Sequence, residues 1–315
     1  MSARAKELEL EPPRSKARSR GPFFGHTGRW AAIAAGIVLV TAGVSYGVWQ
    51  QVRTHVLGSN QYQVDPAQIF LTPSPPWIRS NIKEEVLREA GLAEPLSLLD
   101  AQLTARVAGA FAAHPWIARV ERVSKHFPSG LEVEVVYRRP VAMVEVTDGA
   151  LPVDVDGVVL PTADFQPGEA DIYPRIGGIH TSPAGLVGTP WGDAAVAGAA
   201  QIVAAFGDDW KMLDLLRVTP AARRPGGRGG VEYAFALFTR GGTRIDWGLA
   251  PGTTVAGEQP AAEKIAQLRQ YAAKIGSLDG PAPQQLLFAS DGALQAVPRT
   301  PVAPLPAQDE TPELR

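Results

Sequence analysis

The sequence predicts an α+β protein carried on a single transmembrane helix, with a β-α-α-β-β module after the helix and then a strand-rich region with a covering helix. Three observations carry that prediction. Residues 30–49 (WAAIAAGIVLVTAGVSYGVW) hold no charged side chain. Ile82, Val86, Leu87 and Ala90 recur at helical spacing behind Asn81. Leu131, Val133, Val135 and Tyr137 alternate with Glu132, Glu134, Val136 and Arg138, the period of two of a half-buried strand.

At 315 residues the chain has room for about two folded units of ordinary size. A formal charge of -2 gives no overall basic field to draw nucleic acid. The absence of cysteine excludes disulfides, thiolate catalysis and cysteine-ligated metal sites.

Residues 1–29 are rich in Pro, Ser, Arg and Glu, bury too little apolar surface to offset ordering entropy, and read as a disordered cytoplasmic tail. Residues 30–49 make a helix of roughly 30 Å, the thickness of a hydrocarbon core, with Trp30, Tyr46 and Trp49 at its ends. Seven Arg and Lys precede it against three Glu, which keeps the N-terminus inside and places the bulk of the chain outside. Gly43-Val44-Ser45-Tyr46-Gly47 fits a nucleophile elbow by letter, but such an elbow needs a strand–turn–helix at a solvent-open apex. The same pair, Gly43 and Gly47, fits a close-packing face between membrane helices.

Residues 58–140 form the first module. Residues 62–71 read as a strand despite Pro66; Asn81 with Glu84 opens one helix, stopped by Gly91. Asp100 caps a second, with Leu99, Leu103, Val107 and Phe111 on one face, and His114-Pro115 ends it. Residues 117–125 and 131–137 pair as a hairpin.

Residues 141–297 form the strand-rich region. Residues 142–146 read as a short strand, and Asp156-Gly157 between apolar runs marks a hairpin. An Ala-rich helix covers 193–206, a hairpin turns at Gly241-Gly242, and Ile265, Leu268, Tyr271 and Ile275 stripe a helix over 263–275. Residues 286–289 and 293–297 flank Asp291-Gly292 as closing strand. Residues 220–230, with Arg223, Arg224 and Arg228, read as a basic loop without the Lys-Ser/Thr of a phosphate-binding loop. Residues 298–315 read as a second disordered tail.

No catalytic or cofactor pattern stands out. His26, His55, His114, His126 and His180 are scattered, and Asp154-Val155-Asp156-Gly157 lacks the closing Glu of a calcium loop. The expectation is a non-enzymatic protein with no cofactor, metal or small-molecule substrate.

The runs His114-Pro115-Trp116-Ile117-Ala118-Arg119-Val120, Phe127-Pro128, Leu131-Glu132-Val133-Glu134-Val135 and Arg138-Arg139-Pro140-Val141-Ala142 resemble the bacterial cell-division family FtsQ/DivIB. The likeness follows the chain in order over residues 25–297, including a Tyr173-Pro174-Arg175-Ile176 landmark, and departs from the family at residues 69–78. It implies a POTRA domain in the first module, a bitopic inner-membrane protein at the division septum, and membrane-anchored partners similar to FtsB and FtsL. A strand edge supplies the means, because unpaired N–H and C=O groups accept an incoming extended segment. The expected partner-binding residues are Leu286, Leu287, Phe288, Ala289, Asp291, Gly292, Leu294 and Ala296, with Phe288 as apolar anchor and Gly43 and Gly47 packing in the membrane. A POTRA-type envelope assembly or transport factor is the alternative; it calls for a membrane barrel of repeated strands of about ten residues, and too few follow Val141.

Overall fold

The computed structural model describes residues 26–57, 62–126, 128–225, 231–253, 255, 257–281, 284–289 and 294–298. Both expected tails lie outside these residues except at their inner ends, as do the glycine run 226–230 and Arg228. The chain divides into two units, residues 1–60 and 61–315.

The first unit holds helix α1 (His26–Leu57). Its apolar stretch Arg29–Val52, 24 residues, is long and apolar enough to cross a membrane and is not buried against protein. At 1.5 Å per residue it extends about 36 Å. The hydroxyl of Thr41 donates to the carbonyl of Ile37 at 2.9 Å, so this polar side chain is satisfied within the helix.

The second unit is a mixed α+β body with two hydrophobic cores. Its chain begins with β1 (Gln63–Val64) and β2 (Ile69–Leu71). The continuous strand expected over 62–71 is interrupted. Pro66 starts a one-turn 3-10 helix whose first free amide, on Ala67, is capped by the Asp65 carboxylate at 2.8 Å. The two halves then join different sheets.

Helix α2 (Ile82–Glu89) starts as expected, with the Asn81 side chain accepting from the Glu84 amide. Strand β3 (Leu96–Ser97) pairs with β1. Helix α3 (Leu103–Ala112) begins two residues later than the expected Asp100 cap allows. Asp100 instead accepts from the Gln102 amide at 2.8 Å in the preceding turn, which leaves Leu99 43% exposed and off the buried face. Strands β4 (Ile117–His126) and β5 (Gly130–Tyr137) form the expected antiparallel hairpin. β2 runs parallel to β5 on its other side, giving a three-stranded sheet in the order β2-β5-β4. Leu131, Val133 and Val135 of β5 share the first core with Ile82, Val86, Leu103, Val107 and Phe111 of the helices.

The remaining strands form one eight-stranded sheet. β6 (Ala142–Val146) and β7 (Gly149–Val153) pair antiparallel through a turn at Thr147-Asp148. The hairpin expected at Asp156-Gly157 is only a turn with a single bridge, Val153 to Val159, because the Asp154 carboxylate gathers the amides of Asp156 and Val158. β8 (Arg175–Ile176) lies parallel to β6. Helix α4 (Ala194–Phe206), capped by Asp193 on the Ala195 amide, and the short α5 (Asp209–Met212) lead to β9 (Leu215–Pro225).

β9 corrects the sequence reading: much of the expected basic loop is strand, with the backbone of Arg223 and Arg224 paired to Tyr233 and Glu232. Pro220 is tolerated because the ladder with β10 (Val231–Thr239) shifts register between Ala234 and Phe235, and Pro220 lies at that shift. β11 (Arg244–Leu249) returns antiparallel to β10. Helix α6 (Ala261–Ile275) is the crossover that lets β12 (Gln284–Phe288) lie parallel to β11. β13 (Leu294–Pro298) pairs antiparallel with β12. The strand order is β13-β12-β11-β10-β9-β8-β6-β7. The second core gathers Val196, Ile202 and Phe206 of α4 and Ile265 and Leu268 of α6 with Leu237, Ile245, Trp247 and Leu286 of the sheet.

Candidate docking edge

Among the described residues the two larger sheets have four outer strand edges, and they differ in how they are protected. β4 carries Arg119, Glu121, Arg122 and Lys125 and breaks register twice against β5. Charge and irregularity both discourage pairing with a foreign strand. β7 contains Pro152, and the chain covers it in part: the Leu160 amide donates to the Pro152 carbonyl at 2.9 Å. β2 has three residues, and the Ile69 amide is already bonded to the Pro66 carbonyl. Phe70 of β2 is 63% exposed.

β13 is the least protected of the four, with a proline only at its last position, Pro298. Leu294-Gln295-Ala296-Val297-Pro298 carries no charge, keeps register with β12 through all five pairs, and has no partner on its outer side among the described residues. Gln295, Ala296, Val297 and Pro298 are exposed. As on any edge strand, alternate backbone groups point away from the sheet.

The structure redistributes the residues expected here. Leu286, Leu287 and Phe288 are not on the rim. They lie in β12, paired to β11 on one side and β13 on the other. Leu286 is 0% exposed and belongs to the second core. Leu287 is half-buried beside Gln295 in the β12–β13 ladder. Phe288 is half-buried and packs edge-on against Trp247. Ala289 follows β12, and its carbonyl accepts from Gln259 Nε2 at 3.3 Å. Leu294 is partly buried against the second core, while Ala296 is exposed on the rim. Asp291 and Gly292 lie outside the described residues. Gly43 and Gly47 sit on α1 with open space where a Cβ would stand. Sequence reasoning took residues 286–297 as one edge and did not separate the outer arm, with Gln295, Ala296 and Val297, from the inner one. Its Asp291-Gly292 signal implied two arms, and only the second can be outermost.

A buried lysine braces the strands behind the rim. Lys264, 3% exposed, enters from the first turns of α6. Its Nζ donates to the Trp247 carbonyl at 2.6 Å and pairs with Glu258. It lies 5.0 Å from the Trp247 ring centroid and 5.6 Å from that of Phe288. Glu258 also accepts from the Leu249 amide at 3.0 Å. Gly248 makes this fit: its φ is +90°, and a Cβ there would come 2.6 Å from a Glu258 oxygen. A cleft of about 260 Å³ beside these groups and another of about 350 Å³ near Trp210 and Arg240 are lined by no histidine. Among the described residues no three His, Asp or Glu side chains gather as metal ligands. The site's groups are arranged to hold strands, with Lys264 fully engaged inside the fold.

Compared with known proteins, the chain matches no family model and no curated sequence.

Proposed function

We propose that this chain is a single-pass scaffold of the bacterial division machinery, of FtsQ/DivIB type, that docks an extended segment of a membrane-anchored partner on the outer side of β13. The N-terminus lies in the cytoplasm, α1 anchors the chain in the inner membrane, and residues 61–315 work outside at the septum. The module of β2, α2, α3, β4 and β5 serves as its POTRA domain; the order of these elements, with the two-residue β3 between the helices, and the helices sharing a core with the sheet support that reading. Partners similar to FtsB and FtsL supply the added strand.

The observation that carries the reading is the uncharged, unbulged rim of β13, set against the charged, bulged rim of β4 in the same chain. Main-chain pairing supplies affinity and alternate side chains supply selectivity. The test uses the full-length chain in detergent micelles, mixed with candidate FtsB- and FtsL-like proteins. Val297→Asp puts a charge on the rim and leaves the core untouched. The expected result is at least tenfold weaker capture, about 1.4 kcal/mol. Unchanged capture overturns the docking site, and uniform envelope staining of a fluorescent fusion in place of a mid-cell ring overturns the division role.

A further inference from the structure

Residues 160–173 follow the Asp154 turn and reach back onto the first core. Leu160 is buried within that core, although it comes after two strands of the large sheet. Phe165 stands 6.4 Å from Trp116 and meets Tyr173 edge-on at 5.7 Å. Between them Asp164 is 4% exposed. Its carboxylate accepts from the Arg79 amide at 2.7 Å, the Ser80 amide at 2.6 Å, the Ser80 hydroxyl at 3.3 Å and Trp116 Nε1 at 2.7 Å. The Arg79 guanidinium closes over the segment, donating to the Asp164 carbonyl and pairing with Glu169 at 2.8 Å.

We infer that residues 160–173 are a strap that locks the two cores into one rigid body, with Asp164 as its key. The donors come from two places on the first core: the entry to α2 and the turn before β4. Directional bonds to two separate points define an orientation, which apolar contact alone does not. The contact is also all-or-none. Withdrawing Asp164 leaves the Trp116 indole N–H, on a fully buried side chain, without its acceptor. Two further pins act in the same sense. Arg138, where the chain leaves β5 for the large sheet, pairs with the buried Asp154 at 2.6 Å. Gly188, at φ +93°, lies so close to the turn before β4 that a Cβ would stand 3.0 Å from the Pro115 Cα. With the strap in place residues 138–141 are a fixed corner; with it released they become a hinge.

The chain has no cysteine, so two introduced ones take spin labels uniquely. Glu89→Cys on α2 and Lys274→Cys on α6 are exposed and lie in elements of different cores. In the full-length chain in micelles, pulsed electron resonance is expected to give one narrow distance distribution. Asp164→Asn is expected to broaden it while the far-ultraviolet circular dichroism stays native. A distribution as narrow as that of the parent overturns the lock. Should the variant fail to fold, amide exchange in the unsubstituted protein decides. The lock requires the Arg79 and Ser80 amides to be protected and to open together with the strap. Free exchange at both while the α2 amides stay protected overturns it.

Discussion

The ring of Phe288 stands edge-on to that of Trp247, with centroids 6.1 Å apart and planes at 88°. Lys264 lies against both rings. This contact ties β12 to β11 from inside the fold, with β13 the outermost strand at that end of the sheet among the described residues. Phe288→Ala should therefore lower stability, by about 2 kcal/mol since the ring is only half-buried. Chemical denaturation checks it. A loss of capture with unchanged stability would mean that the ring touches the partner after all.

Lys264→Met should cost about 2 kcal/mol, below the value for a fully buried pair because Glu258 keeps some solvent contact. Combining it with Glu258→Gln should be less damaging than the sum of the two, by about 1 kcal/mol, since each single change strands the other's charge. A double-mutant cycle on denaturation midpoints measures this. Additive losses would mean that the two groups act independently.

Gly248→Ala should destabilise the chain by about 1–3 kcal/mol. The residue needs a left-handed backbone, and the new methyl would strike Glu258. Alanine at Gly43, where space is open, should leave the melting temperature unchanged.

The Glu169 carboxyl is held below its ordinary range, first by the hydrogen bond from Arg79 and then by the Gln166 amide. A depressed carboxylate contributes stability above the unfolded glutamate range and loses it as pH falls through the folded value. The Tm gap between the parent and Glu169→Gln should thus be present at pH 7 and close on acidification below pH ~4. A gap that widens toward acid would contradict the assignment.

Leu39→Arg in α1 should reduce membrane insertion by about 2.5–3.5 kcal/mol, the scale for a charge at a helix centre. Alkaline extraction of membranes checks it: the parent stays in the pellet and the variant shifts to the supernatant. Equal retention of both would show that α1 is not the anchor.

Much of this architecture was legible because it is local. Asn81 caps its helix, Asp193 caps α4, and the alternation from Leu131 to Tyr137 puts the right side chains inward, since each signal spans one or two turns of chain. The arginines beside the glycine run hid β9, because its pairing, and the bulge that accommodates Pro220, depend on the opposite strand. The rim was half legible. The closing hairpin was visible in the sequence, but which arm is outermost depends on β11 pairing parallel with β12, a choice made by α6 in three dimensions. Asp164 gave no signal at all, since its donors stand far away in sequence.

That parallel pairing bears on the order of events during folding. Ile245 and Leu286 can meet only after all of α6 has been drawn across the sheet, whereas β9, β10 and β11 zip up as neighbours. Contacts between distant stretches of chain form late. β13 pairs on β12, so its rim is complete only once that crossover has been made. A segment that docked there would find its place only on chains whose α6 crossover is already made.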